Sequence, residues 1–117
     1  MLTGILISNV GVMLTLALGV VAILFPRYIQ AFVSISAIGK EGESEVRATY
    51  GGFFAGIAVY ALFSQSVEVF LTIGLGWLAA SAIRLLTLFK GSHSLKNIGG
   101  VAFEAAIGTL CSASAII

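Results

Sequence analysis

Residues 1–25 read MLTGILISNVGVMLTLALGVVAILF, twenty-five positions without a charged side chain. A helix crosses the roughly 30 Å hydrocarbon core of a bilayer with about 20 apolar residues, so this run is long enough to span. It closes on Pro26, Arg27 and Tyr28: a helix breaker, a cation and an aromatic suited to the membrane interface. The run lacks a basic leading segment and is too long for the apolar stretch of a secretion signal, which predicts a retained helix.

Three further runs follow. One begins near Val46 and is free of charge from Ala48 to Val67. Another continues to Phe89 and contains Arg84, and the last starts near Asn97 and contains Glu104. The expected architecture is therefore a single all-α membrane domain over residues 1–117, a four-helix bundle with helices near 2–25, 46–65, 67–89 and 97–117. Composition agrees: 59% of residues are hydrophobic and 9% charged, against about 25% charged in soluble domains. A net charge of +1 offers no field for nucleic acid. Alternating segments of about ten residues, the mark of a membrane β-barrel, are not evident.

Arg27 and Lys40 fall between the first and second runs, Lys90 and Lys96 between the third and fourth, and the remaining connection and both ends carry no Lys or Arg. The positive-inside rule then predicts that these two connections face the cytoplasm and that both termini lie on the outer face. In the first connection, Ile29, Phe32, Val33 and Ala37 lie near one helical face opposite Gln30, Ser34 and Ser36, which predicts a short segment in the interface. Residues 39–45, Gly-Lys-Glu-Gly-Glu-Ser-Glu, read as a solvated turn, with Ser44 as the cap of the second span and Glu45 in its first turn.

Ionisable groups within a span are costly, and each is a functional hypothesis that needs a partner. At 1.5 Å per residue, Arg84 lies roughly 7.5 Å inside Phe89, Glu104 roughly 10 Å inside Asn97 and Tyr50 about 6 Å inside Val46. Arg47 is shallower. The expected constellation is Glu104 paired with Arg84 or Arg47, the Tyr50 hydroxyl being a further donor and Glu45 belonging to the same stretch. Helical spacing supports inward stripes at Arg47, Tyr50, Gly51 and Phe54, at Trp77, Ser81, Arg84 and Leu88, and at Gly100, Glu104, Gly108 and Cys111. Gly52 and Gly56 form a GxxxG spacing, which with Gly100 and Gly108 predicts close helix approaches. Such a cluster fits an ion-pair network that fixes helix register, a pocket for a head group or small anion, or a proton-coupled carboxylate at Glu104.

Other residues are less informative. Cys111 is the single cysteine and His93 the single histidine, so no disulfide and no metal or cofactor site is expected. Glu68 reads as a solvated carboxylate at a helix start, Trp77 as a deep packing residue, and Asn9 and Thr15 as hydrogen-bonding groups between helices or back to the backbone. The GxGxxA match at Gly74–Ala79 sits inside an apolar span without the strand-turn-helix order that a dinucleotide site requires. No nucleophile and base constellation is present, so no catalytic residue and no enzymatic activity are expected.

The stretch Ser44-Glu45-Val46-Arg47-Ala48-Thr49-Tyr50-Gly51-Gly52, preceded by Phe25-Pro26, resembles a bacterial family of small four-helix membrane proteins of unknown function. Their shared signature looks like Glu-x-Arg-Ala-x-Tyr-Gly-Gly at the start of the second helix. Arg84 late in the third helix and Glu104 in the fourth are similar to that family as well, and more loosely the layout resembles DoxX-type and sterol-scaffold proteins. The resemblance implies an accessory or binding role, with membrane lipids, further copies of the chain or a larger membrane complex as partners. A small multidrug-type transporter matches in size and helix number, but it normally relies on a carboxylate in the first helix, and here Glu104 would have to substitute.

Overall fold

The computed structural model describes residues 1–91 and 93–117. Its helices are α1 (Leu2–Leu24), α2 (Pro26–Val33), α3 (Gly39–Val46), a π-helical segment (Arg47–Phe53), α4 (Phe54–Ser64), α5 (Val67–Leu88) and α6 (Leu95–Ile116). The segment α3–π–α4 is continuous, so four helices are long and apolar enough to cross a membrane: Leu2–Leu24, Gly39–Ser64, Val67–Leu88 and Leu95–Ile116. The fold is all-α, with the four membrane-length helices that the apolar runs predict. Ser92, in the loop before α6, lies outside the described residues.

The chain divides into two compact units, one of residues 1–12 and 64–117 and the other of residues 13–63. Helix α1 contributes to both, and hydropathy gives it no direction because every face is apolar. Residue size does. Its buried positions are Gly4, Ser8, Gly11, Thr15, Gly19 and Ala22, spaced by three or four, with Val12 beside them, while Leu6, Val10, Met13, Leu14, Val20 and Leu24 are exposed. Leucine gains nothing by leaving lipid for protein, so helix contact in a membrane selects small side chains that let backbones approach.

In the first unit, α5 and α6 pack along each other and cross where Gly74 meets Gly108. A Cβ on Gly74 would stand 2.8 Å from the Gly108 carbonyl oxygen and against the Ser112 hydroxyl. The helix ends are capped by side chains: Ser66 accepts the Val69 N–H, and Ser94 accepts the Asn97 N–H at 3.2 Å. Away from the loop between α5 and α6, Ser8 Oγ donates to the Cys111 carbonyl at 2.8 Å and accepts the Ser114 N–H at 2.9 Å. Asn9 and Gln65 exchange two amide hydrogen bonds of 2.9 and 2.8 Å, and Asn9 also donates to the Ile5 carbonyl.

In the second unit, Pro26 starts α2 directly after α1, its missing N–H costing nothing at a first helical position. Helix α2 stops at Ser34, whose φ of 62° is left-handed and whose N–H returns to the Gln30 carbonyl. Ile29 is buried with Ala22 and Val46, and Val33, Ala37 and Tyr50 pack around them. Phe32 points outward and is half exposed, contrary to the face expected for it. Ile29 and Val33, one turn apart, take the inward face of α2, and past the break at Ser34 Ala37 reaches the cluster by a turn, in which its N–H bonds Gln30 Oε1 at 2.8 Å.

The solvated turn expected at 39–45 is instead α3, and Ser44 lies inside that helix rather than capping the next. Lys40, Glu41, Glu43 and Glu45 are good helix formers, Glu41 suits the first turn, and Glu43 and Glu45 each find a partner four residues on. The π segment follows from packing. Val46 and Gly51 are both buried, and five residues of α-helix turn about 500°, leaving the two some 140° apart. A ladder bonded to the fifth residue back widens the turn and brings both inward. Gly51 then lies on α1, its would-be Cβ 3.3 Å from the Gly19 carbonyl and closer still to Ile23. This shift in register leaves Gly52 and Gly56 exposed, so the GxxxG spacing is not a helix contact in this structure.

Candidate functional site

Arg84 and Glu104 meet across α5 and α6. Nε donates to Oε1 at 2.8 Å and Nη2 to Oε2 at 3.0 Å, a two-pronged pairing in which both carboxylate oxygens are engaged. Nη1 donates to Asn97 Oδ1 at 2.9 Å. One turn from Arg84 along α5, Ser81 Oγ donates to the Val101 carbonyl at 2.8 Å, a second cross-link between the same helices.

The local sequence explains the geometry. Asn97, Gly100 and Glu104 stand at i, i+3 and i+7 on α6 and share one face, as Ser81 and Arg84 do on α5. A Cβ on Gly100 would stand 3.0 Å from Arg84 Cδ and 3.1 Å from Nε, so the arginine lies flat against α6 because residue 100 has no side chain. The glutamate side chain is 12% exposed and the arginine 32%. A shallow open groove on α5 is lined by Ala79, Ala80, Ile83, Arg84 and Thr87.

The other expected residues sit in the second unit and have local partners. Arg47 Nη2 pairs with Glu43 Oε1 at 3.1 Å, one turn back on the same helix, and both side chains are about half exposed. Glu45 Oε1 accepts the Thr49 hydroxyl at 2.6 Å. Tyr50 packs by its ring, half-buried beside Ala22, Ile29 and Val46, with its centroid 6.0 Å from that of Phe54. Of the two arginines proposed for Glu104, Arg84 is the one that binds it. The inward stripes expected on α5 and α6 are observed, Ser81, Glu104, Gly108 and Cys111 being buried, whereas Arg47 falls on an exposed face. Arg47, Thr49, Tyr50, Gly51 and Gly52 all fall on the π segment, which therefore coincides with most of the Glu-x-Arg-Ala-x-Tyr-Gly-Gly stretch.

Sequence reasoning treated Asn97 as a helix boundary and passed over its side chain. The signal was present, since it lies seven residues before Glu104 on the same face. His93 is exposed with Nδ1 3.2 Å from the Leu88 carbonyl, and Glu68 is exposed and accepts the Ser66 hydroxyl at 2.9 Å. Among the described residues no three His, Cys, Asp or Glu side chains gather in a way that holds a metal ion. Comparison with family models, curated proteins and solved structures finds no match.

Proposed function

We propose that this chain is a small multi-pass membrane protein that binds a lipid or another lipophilic, anionic molecule, and that its charged cluster serves binding and helix register rather than transport or catalysis. The observation that carries the reading is the two-pronged Arg84–Glu104 pair, held further by Asn97 and lying beside an apolar groove on α5. A transporter carboxylate has to release its partner and exchange protons. Glu104 has both oxygens held by one arginine on the neighbouring helix, which disfavours that cycle. The pair instead stiffens α5 against α6 beside an apolar groove, whose wall suits the apolar part of a lipophile.

The placement of Arg27, Lys40, Lys90 and Lys96 supports an orientation with both termini on the outer face, and the resemblance to small bacterial membrane proteins favours the inner membrane. Native mass spectrometry of protein extracted gently from its own membrane tests the reading. A retained lipophile is the expected result. A co-purifying subunit without adduct makes the chain an accessory component, and proton-driven efflux that an ionophore abolishes and Glu104→Gln removes overturns the proposal.

A further inference from the structure

Helix α2 is apolar on two adjoining sides. Pro26 and Ile29 are buried, and Val33 packs with Ile29 toward Ala22 and Val46. Phe25, Tyr28 and Phe32 turn the other way: each is at least half exposed, and the rings of Phe25 and Tyr28 lie 5.9 Å apart. At about 100° per residue, the positions from Tyr28 through Phe32, Ile29 and Val33 to Pro26 cover one arc of about 160°. Gln30, Arg27 and Ala31 occupy the rest of the circumference, with Arg27 opposite the middle of the arc. Half of the arc therefore meets the bundle and half meets the surroundings. Helix α2 also starts two residues after α1 ends, and exposed Ile23 and Leu24 carry the outward edge straight onto a membrane-length helix.

The polar groups on this edge have no partner within the protein. Arg27 is the one charged side chain between Met1 and Gly39. Among the described residues its guanidinium pairs with no carboxylate, and the Tyr28 hydroxyl makes no hydrogen bond. Arg47, by contrast, is held by Glu43. Aromatic rings beside a phenol and an opposing guanidinium fit a helix lying flat at a bilayer surface, with rings at the acyl boundary and the cation among the headgroups. Neighbouring α3 carries three glutamates against Lys40, which gives the edge no net attraction for anionic lipid. The matching chemistry is the phosphodiester that all common phospholipids share.

We infer that α2 is a phospholipid-binding edge, its Phe25, Tyr28 and Phe32 rings inserted at the headgroup boundary and Arg27 bound to a lipid phosphate. The sequence pattern set Ile29, Phe32 and Val33 together on one interfacial face. The structure gives Ile29 and Val33 to the bundle and leaves Phe25, Tyr28 and Phe32 for the membrane. This edge belongs to the other unit from the Arg84–Glu104 pair, so its occupancy is independent of any ligand held there.

The test uses the full-length protein in phosphatidylcholine vesicles. Trp77→Phe removes the one tryptophan, and Phe32→Trp or Ala31→Trp then places a reporter on the inserted edge or on the opposing polar side. Phe32→Trp is expected to emit at shorter wavelength than Ala31→Trp and to be quenched several-fold more by lipid brominated near the glycerol end of an acyl chain. Tyr28→Trp is the second reporter if circular dichroism shows that Phe32→Trp loses helix. Equal quenching of the two sides overturns the placement, as does strongest quenching by lipid brominated near the methyl end. Short-wavelength emission without quenching by either lipid assigns the edge to a protein surface, such as a second copy of the chain. Arginine isotope-labelled at Cζ then reports nearby lipid phosphorus by dipolar dephasing in solid-state magnetic resonance. A dephased fraction that Arg27→Lys removes is the expected result, and its persistence in that variant overturns Arg27 as the phosphate ligand.

Discussion

Arg84–Glu104 and Arg47–Glu43 join the same two residue types, yet one links two helices across twenty residues of sequence and the other links successive turns of one helix. The first is two-pronged and lies over a glycine; the second is a single contact between half-exposed side chains. Pairing chemistry is therefore not what separates the two units of this protein. Geometry and exposure are: in the first unit a charge pair is built into the helix contact, and in the second the contact is apolar with its charges kept outside.

The comparison breaks most sharply when one partner of each pair is removed. Glu104→Leu strands Arg84 in the contact and is expected to cost about 3 kcal/mol, whereas Glu43→Leu is expected to cost at most about 0.5 kcal/mol. Thermal unfolding in mild detergent compares them directly. The double change Arg84→Met with Glu104→Leu should recover most of the loss, since a buried pair replaced by apolar groups of similar size is often neutral. Failure of the double variant to recover would mean that the pair does more than hold two helices in register.

A smaller effect sharpens what the units share. Gly19 and Gly74 each sit where a Cβ would come within 2.8 Å of a backbone atom on a neighbouring helix, Ala55 N in one unit and Gly108 O in the other. Valine at either position is expected to destabilise by about 1–3 kcal/mol through overpacking. Alanine at Gly56 or Gly99, where a Cβ meets nothing within 4 Å, should instead stabilise by up to about 1 kcal/mol through helix propensity. The sign of the change in melting temperature thus maps contact glycines against lipid-facing ones.

The smallest difference concerns two hydroxyls in the first unit. Ser8 Oγ bonds Cys111 and Ser114, while buried Ser112 Oγ has no hydrogen-bond partner among the described residues. Ser8→Ala should lower stability by about 1 kcal/mol, and Ser112→Ala should leave it unchanged or raise it by a few tenths. Melting curves of the two single variants, run side by side, resolve the pair.

Much of this architecture was legible because membrane crossing is a coarse demand on length and hydropathy. Arg84 and Glu104 were found by depth alone: two residues placed at similar depth on helices joined by a short loop can meet. Arg47 shows where depth fails, because Glu43 competes from one turn away, and that competitor was hidden by reading residues 39–45 as a turn. Two glycines and a run of charge look like a loop, yet the same charges form i, i+4 contacts once the helix exists. The π segment has no composition of its own. It arises because Val46 and Gly51 must both face inward, a requirement set by packing against α1.

That segment also sets where the length of the chain is negotiable. A π ladder between two anchored points houses one residue more than the α path would need. Removing a single residue from an ordinary stretch of α-helix turns everything beyond it by about 100° and carries every inward side chain off its contact. Removing one exposed residue between Val46 and Gly51, such as Ala48, straightens the ladder and keeps both anchors near the faces they already occupy. Residues 47–53 are thus the joint at which a one-residue deletion is absorbed locally, while the rest of the helix keeps its register.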